Sequence, residues 1–143
     1  MTPVNVEVAI WILTALALLV VVLTRLRLSA RAEQSGVARV PQSVVNGHTI
    51  VGLLAVLTWV GYLIRVGSEL NPVVGGVSLV LWWIEAVLGL LILARWRPVR
   101  GRHATGPRGD SWGSSPWLSA LAHVGMLVAA CSFTALFVSD LRG

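Results

Sequence analysis

The chain has 143 residues, 56% of them hydrophobic and only 12% charged, with a mean hydropathy of +0.81. Soluble domains average about 25% charged residues, so this composition excludes an ordinary water-soluble globule and belongs to the membrane class. The net charge of +5 comes from arginine without a single lysine, and the arginines cluster between apolar runs, which is how membrane topology is encoded; no nucleic-acid partner is expected.

Four apolar runs of roughly 20 residues follow one another, each long enough to cross about 30 Å of hydrocarbon as a helix. The first covers 4–23, with Asn5, Glu7 and Thr14 its few polar positions. It is too long for the apolar core of a cleaved signal peptide and nothing basic precedes it, so it reads as a retained signal-anchor helix. A polar connection follows, with Arg25, Arg27, Arg31 and Arg39 against the single acid Glu33. The second run, 44–64, carries His48 about one turn inside its start. The short turn RVGSELNP ends in Asn71-Pro72, a breaker pair that starts the next helix sharply.

The third run, 73–94, carries one carboxylate, Glu85, near its middle and ends at Arg95-Trp96-Arg97-Pro98. Residues 98–115 are rich in Gly, Pro, Ser and Arg without hydrophobic periodicity, which predicts a mobile loop. The fourth run, 117–138, has Pro116 in its first turn, where proline is tolerated. The fold expected is therefore all-α: a single polytopic domain over 1–143, built as a four-helix transmembrane bundle. Strands are excluded at this length, because lipid requires every backbone polar group to be satisfied within the segment or in a closed barrel.

Nine arginines lie in the two long connections and only Arg65 and Arg142 on the other side. The positive-inside rule places both connections, including the 98–115 loop, in the cytoplasm and both termini outside. Abundant valine, alanine, glycine and arginine without lysine suggest a high-GC bacterial gene, hence a bacterial inner membrane.

Helical spacing sorts the faces. In the second span His48, Gly52, Ala55, Trp59 and Tyr62 share one side; in the third, Ser78, Trp82, Glu85 and Gly89 do. Ala122, Gly125, Ala129 and Ser132 form a small-residue stripe in the fourth with His123 beside it, and Glu7, Trp11 and Thr14 align in the first. Small residues let helices approach closely and polar ones prefer the bundle interior, so these four faces are expected to meet. Trp59, Trp82 and Trp83 are expected in the core or against a partner, and Trp96, Trp112 and Trp117 at the interface. Cys131 is the only cysteine, so no intrachain disulfide forms and neither a thiolate zinc site nor covalent haem is encoded; it reads as a small packing residue.

Chemistry rests on three residues. A charged Glu85 at mid-bilayer costs about 2.5–3.5 kcal/mol even on a mild insertion scale. It is expected to be protonated or paired, as a proton relay, a ligand site or a polar contact between helices. His48 and His123 begin spans that run the same way, at depths within a few ångström of each other. Two imidazoles from facing helices suit a b-type haem, or a metal, with Arg39, Arg95 or Arg97 at the propionates. The blander alternative is two interface histidines bonded to backbone or water. His103 reads as solvated, and the RGD within residues 106–111 falls on the cytoplasmic side, away from any adhesion role. No paired-carboxylate or Ser/His/Asp arrangement is present, so no catalytic residue is assigned and an enzyme is not the expected class.

Three functions compete at this stage. The chain's small size and few reactive groups suit a non-enzymatic accessory or structural subunit, packed against other membrane subunits or as a homo-oligomer in the lipid bilayer. His48, His123 and Glu85 suit a haem or proton-transfer redox module. A small oligomeric transporter is the third.

Overall fold

The computed structural model describes residues 3–32, 41–64, 71–95 and 116–142, with side chains over 4–26, 41–64, 71–94 and 120–142. The 98–115 loop, with His103 and Trp112, falls outside the described residues, as do Arg39 and Trp96. Four helices account for the rest: α1 Pro3–Ala32, α2 Gln42–Leu63, α3 Asn71–Arg95 and α4 Pro116–Asp140. All four are long and apolar enough to span a membrane, and the protein is a small multi-pass membrane protein with the architecture of a four-helix bundle.

Helix α1 runs further than its apolar stretch. It continues through Arg25 and Arg27 to Ala32, because leucine, alanine and arginine are good helix formers and no breaker intervenes before Gly36. Helix α3 begins at Asn71, at the breaker pair.

Each helix packs on the next in sequence, and α1 also packs on α4, closing a ring. Cross-helix pairs fix the directions. Arg25 bonds Asn46 while Gly52 faces Val21, so α1 and α2 run antiparallel. His48 meets Glu85 while the Ser78 hydroxyl donates to the Ala55 carbonyl at 3.1 Å, so α2 and α3 do too. Gly89 touches His123 while Trp82 stacks near Phe133, which orients α3 against α4 in the same way.

The ends of the bundle differ. At the end where α2 and α4 begin, here the basic end, α1 and α3 lead into the arginine-rich connections. Arg25 and Gln42 both donate to the Asn46 side chain there. At the far end the Tyr62 hydroxyl donates to Asp140 Oδ2 at 2.8 Å, tying α2 to α4.

The faces expected of α2 and α3 are the ones buried: His48, Gly52, Ala55, Trp59 and Tyr62 on one, Ser78, Trp82, Glu85 and Gly89 on the other. Those of α1 and α4 are displaced. Helix α1 turns Ile10, Thr14, Ala17 and Val21 inward and leaves Glu7 and Trp11 outside. Helix α4 buries His123, Met126, Ala129, Ala130 and Phe133, while Gly125 and Cys131 are exposed and Ser132 bonds its own helix at Val128. Trp83 likewise lies on the outer surface, with its indole N–H donating to Thr134 Oγ1 at 3.3 Å.

The glycines divide accordingly. An added Cβ would meet nothing within 4 Å at Gly47, Gly61 or Gly125. Gly61→Ala and Gly125→Ala are therefore expected to be neutral or to stabilise by about 0.5–1 kcal/mol through helix propensity. Reversible unfolding in detergent measures this; a clear loss of stability at either position would mean that a partner covers it.

Candidate functional site

The three residues singled out by chemistry come from three different helices and converge in the half of the bundle nearer the basic end. His48 lies six residues into α2, ~9 Å along the helix at the usual rise. Glu85 lies ten residues before the end of α3, and His123 seven residues into α4. All three side chains are buried.

His48 Nδ1 stands 2.8 Å from Glu85 Oε1. The pair is neutral overall whether the proton sits on nitrogen or on oxygen, and this neutrality makes it tolerable within a bilayer. It fits because α2 has no side chain at the neighbouring turn. A Cβ on Gly52 would meet Glu85 Oε1 and Val21 Cγ2, both at 2.6 Å. Gly52 is thus the notch that admits the carboxylate between α1 and α2.

A second notch lies one turn along α3. A Cβ on Gly89 would meet the His123 ring, with Cδ2 at 2.7 Å and Nε2 at 3.1 Å, and His48 Cε1 at 3.9 Å. Both imidazoles therefore reach the same point on the α3 surface. The two glycines, one on α2 and one on α3, make room on either side of the His48–Glu85 contact for an acid and two imidazoles.

The pair is not saturated. His48 Nε2 and Glu85 Oε2 are fully buried and have no hydrogen-bond partner among the described residues. Buried polar atoms left this way are uncommon in native proteins and call for an explanation, and in titratable side chains a functional role is one. Neither atom borders space wide enough for a water molecule, so exchange requires the layer to open.

The donor set suits haem better than the space does. A histidine whose Nδ1 bonds a carboxylate is oriented as metal-binding histidines are, with Nε2 left for the metal. Yet Nε2 of both His48 and His123 is closed off by protein, and the rings abut Gly89. A porphyrin plate between α2 and α4 does not fit this packing. Among the described residues no three His, Cys, Asp or Glu side chains are grouped as a metal site.

Outward from the site the core becomes aromatic. Trp59, Trp82 and Phe133 are fully buried, with ring centroids 4.6 Å apart for Trp59–Phe133 and 5.3 Å for Trp82–Phe133. Tyr62 continues the cluster at 5.1 Å from Trp59 and 5.6 Å from Phe137. Sequence spacing located Trp59, Trp82 and Tyr62 on inward faces but not the phenyl rings of α4, which carry no polar marker. The Tyr62–Asp140 bond escaped it as well; the available signal was two polar groups at the same end of two helices that run the same way. Searches against protein-family models, curated proteins and solved structures returned no match to this chain.

Proposed function

We propose that this protein is an intramembrane proton-exchange module whose working group is the His48–Glu85 pair, with His123 as the neighbouring base. The observation that supports it is the 2.8 Å contact between two titratable groups deep in an apolar bundle, each with a second buried polar atom unpaired. Intramembrane acids of this kind are expensive, and proton relays are among their uses. Uptake of one proton by the neutral pair leaves both partners protonated, so the pair gains one positive charge. Release returns it to neutrality.

The arginine distribution supports an orientation in a bacterial inner membrane with the basic end in the cytoplasm and both termini outside. The module would then work as one subunit of a larger membrane assembly. The outer face of α1, with Leu16, Leu19 and Leu23 exposed, offers the partner contact.

Infrared difference spectroscopy across a pH titration tests the reading. A carboxyl C=O band that appears on acidification and is missing from Glu85→Gln is the expected result. If wild type and Glu85→Gln give the same spectrum at every pH, Glu85 is a packing acid and the protein a structural subunit. An absorption spectrum of the same sample tests haem: a Soret band lost in both His48→Ala and His123→Ala would replace the proton reading with a redox one.

A further inference from the structure

The pair sits between two ends of unlike chemistry. On one side of it, toward the basic end, the helices carry hydrogen-bonding side chains. Gln42, Asn46 and Arg25 form an exposed polar cluster within two turns of His48. Gly47, next to His48 in sequence, has nothing within 4 Å of where a Cβ would stand. Water entering between the helix starts would meet polar groups first and His48 next.

On the other side stands the aromatic layer. Trp82 is one turn from Glu85 along α3, and Trp59 and Phe133 close the section from α2 and α4. All three rings are fully buried. A proton moving through this layer would need groups that both accept and donate. An indole N–H only donates, and a phenyl ring does neither. The Trp59 and Trp82 indole nitrogens have no hydrogen-bond partner among the described residues, so no chain runs through them. The buried hydroxyls of Ser78 and Thr14 are turned to the backbone, Ser78 donating to the Ala55 carbonyl and Thr14 to that of Ile10.

The groups that face Glu85 are consistent with a dead end. Gly52 and His48 meet it from α2, Val21 of α1 lies against the same glycine, and His123 of α4 stands beside Gly89 one turn along α3. Arg25, one turn beyond Val21, is the next charge on α1, and it is bound to Asn46 at the mouth. Of the other described acids, Asp140 is held by Tyr62 on the far side of the aromatic layer, and Glu7 is exposed near the start of α1.

From this geometry we infer that the His48–Glu85 pair exchanges protons with the basic end alone, and that Trp59, Trp82 and Phe133 seal it from the far end. The inference rests on the proton-exchange reading and makes it specific. The site is a one-sided proton store that a partner could discharge, and not a conduit across the membrane. Trp59, Trp82 and Phe133 set the side of access without touching the proton.

Full-length protein in vesicles of a single orientation, fixed by capture through a tag at Gly143, provides the test. The pH is stepped on one side at a time while the Glu85 carboxyl band, identified by its loss in Glu85→Gln, is followed by infrared spectroscopy. The band is expected to respond to steps at the basic end and to be silent to steps at the far end. Equal response from both sides, or response from the far end alone, overturns the one-sided inference and leaves the exchange reading standing. No response from either side overturns both. In Phe133→Ala the band is expected to respond from both sides. Phe133→Leu, which keeps an apolar branched side chain, is the second variant should alanine not fold. A folded variant at Phe133 that stays silent to the far end shows that the ring layer is not the seal, and overturns the proposal.

Discussion

Glu85→Leu is expected to destabilise the bundle by about 1–2 kcal/mol in detergent, although the leucine inserts into a bilayer more readily than the acid. The cost arises at His48. Its Nδ1 loses the oxygen 2.8 Å away and is left buried without a partner, which costs roughly 1–3 kcal/mol, against the hydrophobic gain of the leucine. Glu85→Gln retains an acceptor and the shape, and should stay close to wild type in stability while losing the proton. The decisive measurement is a double-mutant cycle. With His48→Phe and Glu85→Leu together, neither polar partner remains, and stability should recover most of the single-mutant loss. Strict additivity of the two changes would show that the pair is not coupled.

The second large effect is expected at the two notches. Gly52→Ala drives a methyl group into Glu85 from one side and Val21 from the other, each at 2.6 Å. These belong to α3 and α1, so α2 cannot relieve the clash by moving toward either. Overpacking of this kind costs about 1–3 kcal/mol, with helix propensity offsetting only part. Gly89→Ala presses on the His123 ring at 2.7 Å and is expected to lie in the same range. Gly52→Ala should also move the carboxyl off His48, so its Glu85 band should shift while that of Gly125→Ala does not. Wild-type stability and an unshifted band in Gly52→Ala would mean that the carboxylate does not occupy the notch.

These notches also show what sequence spacing can and cannot reveal inside a membrane. On α2 and α3 the polar, glycine and tryptophan positions recur at helical period, and such residues gain most from leaving lipid, so the buried faces were legible. On α4 the same logic pointed at Gly125 and Ser132, which instead face outward. The residues that fill the interior there are Met126 and Phe133. Lipid and core are equally apolar, so nothing in their chemistry marks them as inward-facing. Helix α1 offered Thr14 and little else, and its tryptophan misled because an indole is as comfortable at an outer surface as in a core. Trp82 and Trp83 are adjacent in sequence and differ by 100° around the helix; only the neighbours decide which of them is buried. That His48 and Glu85 lie on facing sides was visible, but their contact depends on the axial register of α2 against α3, which helical spacing alone does not reveal.

The antiparallel order of α2 and α3 bears on how the chain is made. A ribosome delivers α2 to the membrane before α3, so the imidazole is already in place when the carboxylate arrives. The two helices are joined by a connection of only a few residues, and they can enter as a hairpin whose acid is matched from the outset. Helix α1 brings no buried charge with it, and can wait alone in lipid until Val21 finds the notch. Were the two central spans exchanged in order, the same residues would have to pass Glu85 through the bilayer unaccompanied.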